Sequence, residues 1–304
     1  MKKWMIILLT FVVVFLLPLL LAVFWPHPKE GTPTPPPGPH KAGDMWLADL
    51  GGKTTMAMVW CPPGKFLMGS SVMEPDCLAN ETQHEVTLTR GFWLGKYEVT
   101  QGQWQAIMST NPSGFPREPV VRWKLWKWQV PVWRNDFLVN RWSLPVGQVN
   151  WDDCQKFCRK AGGGCRLPTE AEWEYACRAG STGPFAGTGV LKEMGWYRDN
   201  SSDKFHPVGR KKPNAWGLYD MHGNSVEWCQ DWWGDSSAGF VTDPTGPATG
   251  TDRVSRGGGW LSNASCCRAA FRGRFEPDFR GGNFGFRAAY GIKTDPASNE
   301  KKQP

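Results

Sequence analysis

The sequence has no paired C-x-x-C motifs, no nucleic-acid-binding motif and only five histidines among 304 residues. Each shortage excludes something. Nine cysteines are present, but Cys61, Cys77, Cys154, Cys158, Cys165, Cys177, Cys229, Cys266 and Cys267 are scattered, which argues against structural zinc. A net charge of +7 without a recognition motif is ordinary solubility charge, so nucleic acid is not an expected partner. Charged residues make up 21% and hydrophobic residues 40%, a balance that excludes wholesale disorder. What the chain has in abundance is 19 Trp, 35 Gly and 25 Pro. Turn-formers with large rings predict a loop-rich fold whose aromatics fill the volume that regular elements leave open, not a helical bundle. In an oxidising compartment several cysteines should pair, and an odd number leaves at least one thiol free or intermolecular.

The N-terminus bears on the compartment. Lys2 and Lys3 precede a charge-free apolar run from Met5 to Trp25, about the length a helix needs to cross a ~30 Å hydrocarbon core. The run ends Leu-Ala-Val-Phe-Trp-Pro, without the small residues of a signal-peptidase site, and no cysteine follows for a lipoprotein anchor. These features predict one uncleaved transmembrane helix over residues 1–25. The lysines stay in the cytoplasm, Trp25 sits at the interface and the body lies outside, in the periplasm or at the cell surface. Residues 26–43 are proline-rich and read as a semi-extended linker with nothing to bury, whose His27 and His40 are solvated. The body is expected over 44–294 and a polar, frayed tail over 295–304.

Within the body, residues 56–69 read as two short strands around a Pro-Gly turn, and 84–95 alternate as a half-buried strand should. Thr100 with Gln103, and Thr169 with Glu172, have capping-box spacing, and a further helix opens after Asn150. It buries Trp151, Cys154, Phe157, Cys158 and Ala161. Beyond Gly180 the pattern is turns and short strands. The fold class is therefore α+β, irregular and rich in aromatics.

Five stretches carry more than periodicity. They are Gly95-Lys-Tyr-Glu-Val-Thr-Gln-Gly-Gln-Trp104, Arg166-Leu-Pro-Thr-Glu-Ala-Glu-Trp-Glu-Tyr-Ala-Cys-Arg-Ala-Gly180, Gly217-Leu-Tyr-Asp-Met-His-Gly-Asn-Ser-Val-Glu-Trp228, Arg256-Gly-Gly-Gly-Trp260 and Asn283-Phe-Gly-Phe-Arg287. In this order, from about residue 55 to 291, they resemble the formylglycine-generating-enzyme (sulfatase-modifying-factor) family, whose fold is related to C-type lectins. The resemblance implies that fold here, and calcium bound at the Gly-Asn turn, where Asn224 and Glu227 offer hard oxygens. The alternative for that turn is a satisfied loop whose glutamate pairs with a buried arginine.

The chemistry of the family does not carry over so readily. Its active members oxidise a cysteine of a nascent sulfatase, using copper held by two cysteines at C-x-x-x-x-C spacing after the RGG motif. Counted from that motif, the two positions here are Ser262 and Cys267; counted back from Gly285-Phe-Arg287, neither is cysteine. Copper is thus not expected. The vicinal Cys266 and Cys267 do not make a natural substitute, since adjacent residues rarely point both sulfurs at one ion. The family's disulfides imply that Cys177 reaches the Cys267 region, leaving Cys266 or Cys229 as a free thiol. Iron held by clustered histidines, as in a sister branch of the fold, is not expected either, because the body has only His84, His206 and His222, not spaced as ligands.

One stretch is foreign to the family pattern. Residues 116–142 carry Arg117, Arg122, Lys124, Lys127, Arg134 and Arg141 against only Glu118 and Asp136, interleaved with Trp123, Trp126, Trp128, Trp133 and Trp142. Sugar stacking, a membrane-interface hairpin, an oligomer contact and a packed surface hairpin all fit this composition. Two functions follow. One is a peptide- or glycan-binding module, with Trp123, Trp126, Trp128 and Trp133 as its contacts. The other is an oxygen-dependent oxidoreductase acting on a cysteine or related side chain of a protein, with Ser262, Cys266 and Cys267 lining an altered metal site and Trp260 and Arg287 shaping the groove.

Overall fold

The computed structural model describes residues 32–114, 122–125, 128–131, 141–235 and 239–291. The expected membrane span, Trp126, Trp133 and the polar tail lie outside these. Among the described residues no helix is long and apolar enough to cross a membrane.

Strands β1 (Met45–Asp49), β2 (Thr55–Cys61), β3 (Gly64–Met68), β4 (His84–Leu88) and β5 (Phe92–Gly95) come first. The alternating run over 84–95 is therefore two strands, not one. The break falls at Gly91, where a Cβ would run into Trp60 and the Cys61 carbonyl. Helix α1 (Gln101–Met108) follows, then a hairpin of β6 (Arg122–Leu125) and β7 (Trp128–Pro131), α2 (Trp151–Ala161), β8 (Cys165–Arg166), α3 (Glu170–Arg178) and the short α4 (Leu191–Met194). The three long helices start at Thr100, Asn150 and Thr169, each closing a capping box with the residue three places on. The second half adds β9 (Val226–Trp232), β10 (Phe240–Thr242), β11 (Arg253–Arg256), β12 (Gly273–Phe275), β13 (Phe284–Gly285) and β14 (Ala289–Gly291).

These strands make a five-stranded sheet in the order β1-β2-β5-β14-β8, a four-stranded sheet β12-β11-β9-β13, a three-stranded sheet β10-β4-β3 and the β6-β7 hairpin. One core cluster joins Trp93, Trp104, Phe157, Trp228, Phe286 and Tyr290; the other gathers Trp173, Leu94, Val59, Phe92 and Cys177 around α3. Trp104 stacks on Phe157 at 5.5 Å. The indoles of Trp151 and Trp228 donate to the carbonyls of Cys229 in β9 and of Val149 before α2, so each ring fills volume and also satisfies a backbone carbonyl. The elements from Pro33 onward form one unit.

The expected free linker is corrected in part. Pro33 is buried, with its carbonyl where a Cβ on Gly163 would sit. His40 is half-buried, its ring 4.9 Å from Trp60 and 4.8 Å from Trp93. The reason is aromatic surface: Trp60 and Trp93 present a flank that a polar loop could not cover, and the proline-rich segment covers it.

Short strands leave many carbonyls without a ladder partner, and buried arginines take them up. Arg287, fully buried, forks onto Glu227 at 2.7 and 2.6 Å and donates to the carbonyls of Gly95 and Tyr219. It is a core residue, not the groove-shaping side chain the sequence suggested. Arg256 and Arg178 share Glu174, Arg272 forks onto Glu170, and Arg268 onto Glu81. Breaking a buried pair strands a charge. Arg287→Met is therefore expected to lower stability by about 3–5 kcal/mol in urea titration. The Arg287→Met/Glu227→Gln double variant should lose less than the sum of the two singles.

Candidate functional site

The turn after β11 decides what the site can be. Gly257 and Gly258 adopt positive φ, 87° and 66°, and a Cβ on Gly258 would lie 2.7 Å from the Cys267 sulfur. Glycine is required there because the chain folds directly over that thiol. Ser262 ends the turn, its hydroxyl accepting from Gly259 N–H at 2.9 Å, and a 3-10 turn at Ala264–Cys267 follows. Beyond it lies a cleft of about 320 Å³. Its walls are Leu261, Phe271, Phe275, Phe284 and Val226; Ser262, Cys266, Ser255, Asn283 and Arg274 supply its polar groups.

Phe275, Phe279 and Phe284 form an aromatic cluster with centroids 4.7–5.0 Å apart. Leu261 remains 41% exposed, which leaves the mouth apolar. The Arg274 side chain is 61% exposed and reaches Asp252 only at 4.0 Å, so it adds positive charge at the rim. At depth, the Ser255 hydroxyl is buried without a hydrogen-bond partner. Arg256, which also lines the cleft, is neutralised by Glu174 and Glu170.

The sequence-derived candidates divide cleanly. Ser262 and Cys266 line the cleft, and Cys266 is partly exposed. Cys267 does not: it is fully buried, and burial raises its pKa far above the usual thiol range. Trp260 is also buried, packed on Phe205 and Leu144 behind the turn. Trp123 and Trp128 occupy β6 and β7, opposite Val130 and Leu125 in the register. A two-thiolate copper set does not fit here, because one position is a hydroxyl holding a backbone N–H and the sulfur at the other is shut behind glycine.

All nine cysteines are unbridged thiols, so the expected pairing of Cys177 with the Cys267 region is not present. Instead, His222 stands between them. Its Nδ1–H donates to the Cys267 carbonyl at 2.8 Å, while Nε2 accepts from Ala186 N–H at 2.9 Å and lies 3.6 Å from the Cys177 sulfur. Both ring nitrogens are committed to the neutral form. Burial, helped by the Arg178 charge, lowers the His222 pKa to about 4, and burial raises that of Cys177 to about 12. A cysteine–histidine contact this deep is packing, not an activated nucleophile.

The Gly-Asn turn is the satisfied form. Asn224 spends its amide on the backbone of His206 at 3.0 and 3.2 Å. Both Glu227 oxygens are taken by Arg287, and Trp173 Nε1–H adds 2.7 Å. Those two side chains do not make a calcium cradle. Two acids that sequence reasoning passed over do offer oxygens. Both carboxylate oxygens of Glu98 and one of Asp220 are buried without a hydrogen-bond partner. Burial raises both pKa values, that of Asp220 to about 6, and Asp220 adds to the rise at Glu98 by charge. The signal was legible in part: both acids lie inside motif words, and Glu98 is the sole acid of its own.

Comparison with known proteins agrees with this architecture. Residues 48–292 match the family model described as the sulfatase-modifying factor enzyme 1-like domain. The chain is 31% identical to the formylglycine-generating enzyme of Streptomyces coelicolor, covering 78% of this chain and 90% of that one. It is 32% identical to the chaperone protein LppX of Paenibacillus barcinonensis, covering 66% and 80%. The solved structure of Treponema denticola variable protein 1 superposes with a TM-score of 0.69 at 30% identity, covering 81% and 99%.

The histidine yields a pH test. Its folded pKa, about 4, is below the ordinary 6.5, so the unfolded chain takes up a proton that the folded one refuses. The stability it contributes is intact above pH 6.5 and is lost as pH falls toward 4. Urea midpoints of the wild type should fall across that window by the equivalent of about 2–3 kcal/mol more than those of His222→Gln.

Proposed function

The chain belongs to the sulfatase-modifying factor enzyme 1-like family, and from that premise we propose that it is a binding member rather than a formylglycine-generating oxidase. It holds an extended peptide by an apolar side chain in the cleft beside Ser262 and Cys266, outside the cytoplasm, with Met5–Trp25 as its membrane anchor. The observation that carries this reading is the Cys267 sulfur shut behind Gly258, which leaves the cleft one thiol and no dithiolate. Relatives named as an enzyme and as a chaperone stand at nearly the same identity, 31% and 32%, so membership alone favours neither and the cleft chemistry has to decide.

A peptide suits the cleft for three reasons. The wall of Phe271, Phe275 and Phe284 accepts an aliphatic or aromatic side chain. Strand β12 is the outer strand of its sheet, so its open backbone edge can pair with an extended chain. The unpartnered Ser255 hydroxyl gives a buried polar group something to bond, and Arg274 favours a carboxylate beside the apolar residue. In a peptide array, sequences with an aromatic or branched aliphatic residue next to an acid should be enriched. Phe275→Ala should weaken such a peptide at least ~10-fold, about 1.4 kcal/mol. Stoichiometric copper by elemental analysis, lost in Cys266→Ser, would overturn the reading in favour of a metal-dependent oxidoreductase.

We also infer that calcium is held by Glu98 and Asp220 rather than by Asn224 and Glu227. The support is their orphan carboxylate oxygens and the preference of a hard cation for oxygen. The ion would neutralise two buried like charges and tie the segment after β5 to the 217–227 turn. Millimolar calcium should raise the melting temperature of the wild type by several degrees. Glu98→Gln should abolish that shift while melting higher than calcium-free wild type, because it removes the repulsion.

A further inference from the structure

The strongest unabsorbed feature lies away from the cleft, where α2 turns into β8. We propose that Cys158 and Cys165 are an oxidisable pair that closes into an intramolecular disulfide by exchange with an external disulfide, and that Cys165 is the sulfur through which the exchange enters. The inference is independent of the peptide-binding reading.

The turn between the two residues brings the sulfurs together. Cys158 lies in the last turn of α2 and Cys165 opens β8. Gly162, Gly163 and Gly164 between them all have positive φ, 74°, 64° and 83°. Gly162 N–H donates to the Cys158 carbonyl at 3.1 Å and Cys165 N–H to the Gly162 carbonyl at 3.0 Å. The chain thus doubles back within a few residues and sets Cys165 beside the end of α2 where Cys158 lies, close enough that each thiol shifts the pKa of the other. Cys177 instead meets His222, and Cys77 bonds a carbonyl.

The two thiols are unequal in ways that set the order of events. Cys158 is 2% exposed, whereas Cys165 is partly open to solvent. The neighbouring Cys158 thiol lowers the Cys165 pKa, with Arg166 adding to it, and Cys165 in turn raises that of Cys158. Cys165 is therefore the accessible sulfur and the better thiolate, and Cys158 the buried resolving thiol. In the exchange, the Cys165 thiolate attacks one sulfur of an external disulfide and expels one thiolate. Cys158 then gives up its proton and its sulfur attacks Cys165, expelling the second. Two protein thiols are oxidised by two electrons, and the external disulfide is reduced to two thiols.

Closure would lock the seat on which Pro33 rests, since Gly163 lies within the ring and against the Pro33 carbonyl. Full-length protein would be equilibrated with oxidised and reduced glutathione, quenched by alkylation under denaturing conditions and mapped by mass spectrometry. The expected result is one internal bridge joining the Cys158 and Cys165 peptides, with a melting temperature higher by roughly 5 °C. Cys158→Ala should accumulate a glutathionyl group on Cys165, whereas Cys165→Ser should leave Cys158 unmodified. The wild-type mapping needs no variant to fold. The proposal is overturned if both residues are alkylated after oxidation, if either bridges to another cysteine, or if Cys158→Ala carries no adduct on Cys165.

Discussion

Buried guanidinium groups hold this molecule together. A fold of short strands and long turns leaves many carbonyls that no ladder can satisfy, and each arginine brings five donors to them in a fixed fork. Arg287, Arg256, Arg272 and Arg268 reach glutamates 60, 82, 102 and 187 residues away in sequence. Each tie closes a loop that packing alone would leave loose. The arrangement is costly in desolvation, so it works only where each fork is filled. The bidentate partners and carbonyl acceptors around Arg287 and Arg268 meet that condition. Trp173 belongs to the same system, since its indole bonds the carboxylate that Arg287 holds.

The site inherits its character from this framework. Because Arg256 is neutralised by Glu174 and Glu170, the cleft it lines is apolar rather than cationic, and its positive charge sits at the rim with Arg274. Because His222 is fixed between Ala186 and Cys267, the second thiol of the vicinal pair is anchored on the core side of the turn. The cleft thus keeps its apolar wall and one thiol, and no dithiolate. The two orphan acids stand at the other end of the Arg287 node, where Glu227 is already taken and Glu98 and Asp220 are not.

Much of this was legible in the chain. Capping spacing located two helices because local hydrogen bonds depend only on neighbours, and helical spacing of apolar residues located the one after Asn150. The five motif words gave the family because they are the segments that carry the buried forks: Glu174, Glu227, Arg256 and Arg287 all lie in them. The inference that Arg287 shapes a groove failed for the same reason. A charged residue in a motif looks functional until its partner is known, and the partner is 60 residues away. The cleft wall was invisible, since Phe271 and Phe275 lie between motifs and join Phe284 through a strand order no periodicity encodes. Cys158 and Cys165 were visible as residues but not as neighbours, because the glycine turn that joins them looks like an ordinary helix end.

The glycine at position 258 has a consequence for how such a chain can change over time. Replacing Ser262 by cysteine would set a new sulfur in the cleft beside Cys266 while the Cys267 sulfur still faced inward, so that single step does not produce the two-thiolate set at C-x-x-x-x-C spacing. Moving Cys267 outward would need the turn rebuilt, because Gly258 closes over its sulfur and His222 holds its carbonyl. A two-thiolate site at these positions therefore takes several substitutions together rather than one.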